Sequence, residues 1–366
     1  MRIAVLAPIS WRVPPRHYGP WELFASLLTE GLVARGHDVT LFATGDSETS
    51  AVLSSAIPRG WSEDPSIDPK VAECLHISEV FERASEFDVI HNSFDFLPLT
   101  YTGLISTPVV TTIHGFSSPQ IVPVYAKYNE STFYVAISEA DMHPALQYLA
   151  TIHHGIRIGD FNCNPAPGSY LAYFGRIHRE KGLAPAIDTA EETGIPLRIA
   201  GIIQDELYFK REIEPRLDGD RVRYIGPVRA EDRSSFLGGA MALLHLIDFN
   251  EPFGLSVVEA MACGTPVIAF DRGSMPEIIS EGTTGYVVAD VASAANAVRN
   301  ISQLDRRAVR AAAAERFSSD RMVDEYVAVY RRAMAEYEQR SSWVSRNSPV
   351  TSSHEVRLNL KARHER

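Results

Sequence analysis

Short apolar runs rich in β-branched residues recur along this chain, each followed by a longer amphipathic segment. The first series comprises Ile3 to Ala7, Val39 to Ala43, Val89 to His91, Val109 to Ile113 and Tyr134 to Ile137. A second comprises Tyr170 to Phe174, Leu197 to Ala200, Val222 to Ile225, Ala242 to Leu246 and Val267 to Phe270. Strand, helix, strand repetition requires parallel sheets covered on both faces, because a parallel connection is long enough to hold a helix. The polar stretch Asn162-Cys163-Asn164-Pro165-Ala166-Pro167-Gly168 separates the series, and 366 residues exceed what one core organises. The expectation is an α/β chain of two doubly wound halves, 1–163 and 164–330, facing each other across a cleft. Ligands then bind beyond the carboxyl ends of the strands.

Met322, Tyr326, Val329 and Tyr330 recur at helical spacing, which predicts a long amphipathic helix from Ser319 to Arg340. The segment 331–366 is thus a helix end followed by a polar, mildly basic tail from Ser341 returning toward the first half, expected to be solvated or lightly docked and not a binding arm. A formal charge of −11 argues against a surface that gathers nucleic acid or anionic lipid, so a phosphate-bearing ligand needs a local basic site. Cys74, Cys163 and Cys263 are too scattered for a disulfide framework or a zinc site and are expected to be buried thiols. The apolar run at the N-terminus is too short for a signal peptide, and none approaches the ~20 residues of a spanning helix, so a cytoplasmic chain is expected.

The densest chemistry lies in Glu251-Pro252-Phe253-Gly254-Leu255-Ser256-Val257-Val258-Glu259. Gly254 lets backbone approach a ligand, and a helix starting near Leu255 or Ser256 would turn its free N–H groups toward a phosphate. Glu259, four residues beyond Leu255, projects from the same face one turn down. A diphosphate at the helix start would leave Glu259 able to accept both hydroxyls of a ribose and Glu251 able to meet an attached sugar. The bland alternative is a pair of solvated glutamates; the flanking Gly264-Thr265-Pro266 favours the site.

Arg176 and Lys181 follow the strand ending at Phe174, in Gly175-Arg176-Ile177-His178-Arg179-Glu180-Lys181-Gly182. A planar fork and a mobile point charge together neutralise a diphosphate, and they supply the local basic site; Arg179 is expected to be solvated. In the first half, the long loop from Trp11 to Glu22 carries Gly19, where backbone can approach a phosphate. His114 ends one strand and precedes Gly115, which aims an imidazole into the cleft, whereas His91 could be ligand-facing or structural. His153-His154 are adjacent and carry no metal assignment.

Together these pieces resemble glycosyltransferase family 4, retaining enzymes with the GT-B fold that include relatives of sucrose and glycogen synthases. The similarity runs from Arg2 to about Tyr330 and rests on Gly19 to Glu22 with Gly36-His37-Asp38-Val39, Thr112-Ile113-His114-Gly115, Gly175-Arg176, Lys181-Gly182, and Glu251 to Val267. It implies two Rossmann-like domains with a C-terminal helix crossing back onto the first. It also implies that Arg176 and Lys181 bind a donor diphosphate, that Glu251 contacts the transferred sugar, and that Glu259 holds the ribose. Phe253, Gly254 and Leu255 would hold sugar and phosphate through backbone, Gly226 would lie among the base contacts, and His114 would touch the sugar near the reacting centre. One departure is Gly19-Pro20-Trp21-Glu22 where the family usually has Gly-Gly-x-Glu, since Pro20 has no N–H to offer.

The expected reaction is transfer of a hexose from a nucleoside diphosphate sugar, of the GDP-mannose or UDP-glucose type, to an acceptor hydroxyl with retention. The basic pair takes the place of a cation, so neither metal nor cofactor is expected. A predicted helix from Pro69 to Phe87 carries Glu73, Glu79, Glu82 and Glu86 against Lys70 and Arg83, which disfavours anionic membrane and favours a soluble acceptor. Glu251 as a covalent nucleophile stays open beside Glu251 as a sugar contact. So do an epimerase, a phosphorylase or a non-catalytic sugar-binding protein on the same fold. A dinucleotide oxidoreductase fits poorly, because the first strand leads into Pro8-Ile9-Ser10-Trp11 and not a glycine-rich turn.

Overall fold

The computed structural model describes residues 1–16, 19–116, 118–166 and 168–347, with side chains as far as Arg340. The polar tail from 348 lies outside the described residues. Seven strands form the first sheet: β1 (Arg2–Leu6), β2 (Asp38–Phe42), β3 (Val52–Ser54), β4 (Val89–Asn92), β5 (Val109–Ile113), β6 (Phe133–Ala136) and β7 (Tyr148–Thr151). Their order is β3-β2-β1-β4-β5-β6-β7. Six form the second: β8 (Tyr170–Phe174), β9 (Leu197–Ala200), β10 (Val222–Gly226), β11 (Ala240–His245), β12 (Val267–Phe270) and β13 (Gly285–Val288). These run β10-β9-β8-β11-β12-β13. Every pairing is parallel, in register from Ile3 beside Val39 to Leu243 beside Val267. The strand order reverses between β1 and β4 and again between β8 and β11, which opens a crevice at the carboxyl end of each sheet.

The central strands are buried along their whole length or all but one residue, as both-face coverage requires. β3, β7 and β13 were not expected. They are sheet-edge strands of three or four residues, largely half-exposed, so no continuous apolar run marks them. The helix predicted from Pro69 to Phe87 ends at Glu82; the chain then tightens into a 3₁₀ turn, Ala84–Glu86, that lets Ala84 and Phe87 reach the core. Of the cysteines only Cys263 is buried; Cys74 is exposed, because this helix turns Ala72, His76, Ile77, Val80 and Phe81 inward instead.

The last helix runs from Ser319 to Asn347, beyond the expected end at Arg340. Its Met322, Val323, Tyr326, Tyr330 and Ala333 join the core of the first sheet together with the helix Pro20–Ala34. Tyr326 Oη lies 2.8 Å from Thr112 Oγ1, and Tyr330 Oη lies 2.9 Å from His91 Nδ1. His91 is therefore a fully buried structural partner of this helix and does not face the cleft. The chain passes between the halves twice, side by side. Ile156 N–H donates to Phe317 O and Ser319 N–H donates to Ile156 O, both at 2.9 Å. At Gly155 a β-carbon would come within 2.6 Å of Ser319 Cα, so only glycine fits the crossing. No helix among the described residues is long and apolar enough to cross a membrane.

Candidate functional site

The two crevices face each other and enclose a cleft of about 790 Å³. From the second half it is lined by Gly175, Arg176, Lys181, Arg233, His245, Glu251, Phe253, Gly254, Leu255, Ser256 and Glu259, among others. The first half contributes Pro20, Trp21, His114, Ile137 and His154. Arg176, Lys181, Glu251, Phe253, Gly254, Leu255, Glu259 and His114 all lie on this lining, whereas Gly19 and Gly226 do not. Each of those sits one position outside it, with Pro20 and Pro227 on the wall instead.

β8 delivers Gly175 and Arg176, and Arg176 Nη1 donates to Gln204 Oε1 at 2.5 Å. A 3₁₀ turn, Arg179–Lys181, then raises Lys181 over the Phe249 ring, 4.3 Å from its centroid. Arg179 is exposed and pairs with Glu212, in keeping with a solvated role. β11 ends at His245, and the loop after it carries Glu251 to Gly254. Two hydrogen bonds of 2.9 Å fix this loop, from Ser274 N–H to Glu251 O and from Ser274 Oγ to Phe253 O. Gly254, at φ 91°, caps the helix Leu255–Ala262, whose first amides have no partner within the helix and open into the cleft.

Lys181 Nζ donates to Glu251 Oε2 at 3.1 Å, with both side chains mostly buried. His245 Nε2 stands 3.6 Å from the same oxygen, beyond hydrogen-bond reach. Burial opposes ionisation of Glu251, but these two basic neighbours outweigh it and hold the carboxyl at about 2. Glu259 is 6% exposed; burial raises its pKa, and the Arg233 guanidinium, 2.6 Å from Oε1, works against that rise.

Opposite, His114 bonds Ser93 Oγ at 2.8 Å through Nε2, and its Nδ1 lies 3.3 Å from His154 Nε2. Trp21 stacks on the His114 ring at 5.4 Å between centroids. Burial, with His154 and His91 adding to it, drives the His114 pKa well below its ordinary value, and burial takes His154 to about 3. Both rings are neutral at physiological pH, so the first-half wall carries no formal charge among the described residues. His153 points away and pairs with Glu277. No group of three or more His, Cys, Asp or Glu side chains among the described residues is arranged to hold a metal.

Arg233 and His245 were missed from the sequence. Arg233 lies in the charged run Arg229-Ala230-Glu231-Asp232-Arg233, which looks solvated, while His245 sits inside an apolar run and looks like core. The available signal for His245 was the one that singled out His114, an imidazole at a strand's carboxyl end. The resulting cleft is polarised. One wall carries cations, helix amides and two buried carboxylates; the other is aromatic and neutral.

Profiles of known families match both halves of the chain. Residues 22–154 match the profile described as Glycosyltransferase Family 4, and residues 164–316 match Glycosyl transferases group 1. The D-inositol 3-phosphate glycosyltransferase of Mycolicibacterium smegmatis is 31% identical over 190 residues, 48% of this chain and 43% of that protein. Its counterpart from Salinispora tropica is 37% identical over 130 residues, 34% of this chain and 27% of that one. The chain thus spans less than half the length of the curated relatives it matches. Among solved structures, AviGT4, a glycosyltransferase involved in avilamycin A biosynthesis, superposes with a TM-score of 0.68 at 24% identity, over 92% of this chain and 98% of that one. Anabaena HepE in complex with UDP gives 0.71 at 18% identity, over 91% and 100%. These two share the GT-B fold, and with the two family profiles matching one half each, the chain belongs to glycosyltransferase family 4.

Proposed function

We propose that this protein transfers a hexose from a nucleoside diphosphate sugar to an acceptor hydroxyl, with retention at the anomeric carbon and without a metal. The observation that carries the reading is the convergence of Arg176, Lys181 and the open start of the helix Leu255–Ala262 with two buried carboxylates, Glu251 and Glu259, in one cleft. Breaking the glycosyl–phosphate bond puts negative charge on the departing diphosphate. Arg176, Lys181 and the helix amides stabilise that charge electrostatically, which is the service a divalent ion would otherwise perform. Glu259 meets the ribose hydroxyls and Glu251 the sugar, while the base lies toward Ile202 and Gly226. His114, neutral and held by Ser93 and His154, contacts the sugar near the reacting centre without adding charge.

A carboxylate held at about 2 and paired with Lys181 is a weak nucleophile, so Glu251 serves here as a sugar contact. The acceptor then attacks on the face the diphosphate leaves, with that diphosphate taking the proton. We assign donor binding to 164–330 and acceptor binding to 1–163. Among the described residues the wall of Pro20, Trp21, Ile137, His114 and His154 carries no cation for a phosphate, which favours a soluble, uncharged acceptor with a flat apolar face for Trp21. In this it differs from the inositol 3-phosphate named for the mycobacterial relative. The site of action is the cytoplasm.

The test is release of nucleoside diphosphate from UDP-glucose and GDP-mannose by the purified protein, with and without sugar acceptors and with and without chelator. Acceptor-stimulated release that survives chelator, yielding an α-linked product by NMR, is expected. Epimerised donor without release, or phosphate-dependent cleavage to a sugar phosphate, would replace transfer by one of the rival reactions; binding without any turnover would make the protein a sugar-binding module.

A further inference from the structure

His245 is 7% exposed, lines the cleft, and its Nε2 is buried without a hydrogen-bond partner. A buried polar atom left unpaired inside a ligand cleft has a partner in some other state of the site, because desolvating it for nothing is costly. Glu251 Oε2 stands 3.6 Å away, and that oxygen is engaged by Lys181 Nζ at 3.1 Å. Lys181 also faces the place assigned above to the diphosphate, and an ammonium on a flexible stem moves to the denser charge when one arrives. Without a second partner Glu251 would then be a mostly buried carboxylate with nothing to hold it.

We infer that His245 is a positioning residue that takes over Glu251 when the donor's diphosphate draws Lys181 away, keeping the carboxylate aimed at the transferred sugar. The inference rests on the functional reading above. A displacement of well under 1 Å closes the present gap to a hydrogen bond. Because β11 is the central strand beside β8, the imidazole sits on rigid backbone, and only the loop carrying Glu251 has to move. Lys181 is then free to serve the leaving group, and the two cations divide the two anions between them.

The experiment uses the full chain, UDP and GDP as bare ligands, and UDP-glucose and GDP-mannose as donors, following slow hydrolysis so that no acceptor is needed. His245→Ala is expected to lower kcat about tenfold while the Kd for the bare nucleoside diphosphate stays within about twofold, since Glu251 touches sugar and not diphosphate. His245→Gln, whose amide can donate from nearly the same position as Nε2, is expected to recover most of the rate and also serves if the alanine variant folds poorly. In a Glu251→Ala background His245→Ala is expected to add nothing, because its effect passes through that carboxylate. Wild-type rates in the alanine variant, or losses that multiply in the double variant, would overturn the inference and leave the functional reading standing. A wild-type protein that binds neither nucleoside diphosphate and hydrolyses neither donor would overturn both.

Discussion

Glu22 lies in the first turn of the helix Pro20–Ala34, beneath the loop that brings Pro20 and Trp21 to the cleft, and is 3% exposed. Burial pushes its carboxyl up to about 7, against the pull of the backbone N–H groups of Glu22 and Trp11. The sign follows from proton binding: between the ordinary 4.5 and about 7 the folded chain holds a proton that the unfolded chain releases. Stability from this group is therefore complete below the ordinary value and is lost as pH rises through about 7. Carrying both values through the linkage relation gives a loss of about 2.5 kcal/mol between about pH 5 and about pH 8. Glu22→Gln removes the titration, so the variant should gain about 2.5 kcal/mol on wild type over the same interval, whatever its offset at the acidic end. Urea unfolding at the two pH values, followed by tryptophan fluorescence, reports on the right half, because Trp11, Trp21 and Trp61 all lie there. A variant whose midpoint differs from wild type by the same amount at both pH values would refute the reasoning, because its effect would then be packing and not charge.

Three further outcomes are expected. Gly182→Ala should destabilise the second half by about 3 kcal/mol or more in thermal melts, because a β-carbon there would lie 1.9 Å from Leu246 O on a residue at φ 73°. Arg233→Met leaves Glu259 buried without its cation and should cost about 3 kcal/mol of stability, with roughly tenfold weaker nucleoside diphosphate binding by calorimetry as the carboxyl takes up a proton. Tyr330→Phe removes the 2.9 Å contact to His91 and should lower stability by about 1–2 kcal/mol without changing donor affinity.

The fold was legible where burial on both faces leaves long β-branched runs, and Val109–Ile113, Tyr170–Phe174, Leu197–Ala200 and Val267–Phe270 form as expected to the residue. It was illegible at the sheet edges, because Val52–Ser54 and Gly285–Val288 are half-wet and bury little to mark them. Arg176, Lys181 and Glu251 stood out as charged residues in turns after strands, and Glu259 because it projects one turn behind a helix start from the same face. His245 stayed hidden because a residue at the last position of a buried strand reads as part of that strand. Arg233 stayed hidden for a different reason. Its role depends on which helix face meets Glu259 across 26 residues, a tertiary fact that local charge patterning does not carry. Similarly, Glu22 reads as an ordinary acidic first-turn residue, and only the loop folded over it makes its ionisation costly.

The doubled crossing at Gly155 to Ile156 and Phe317 to Ser319 governs how such a chain can be recombined. A single exchange point between the sheets would bring in a foreign closing helix along with a foreign second half. That helix would have to present Tyr326 and Tyr330 to a Thr112 and His91 it had never met. Two exchange points, one before β8 and one near Ser318, would instead graft a complete second half between halves of an intact clasp. Hybrids spliced at both crossings should fold where single-splice hybrids aggregate.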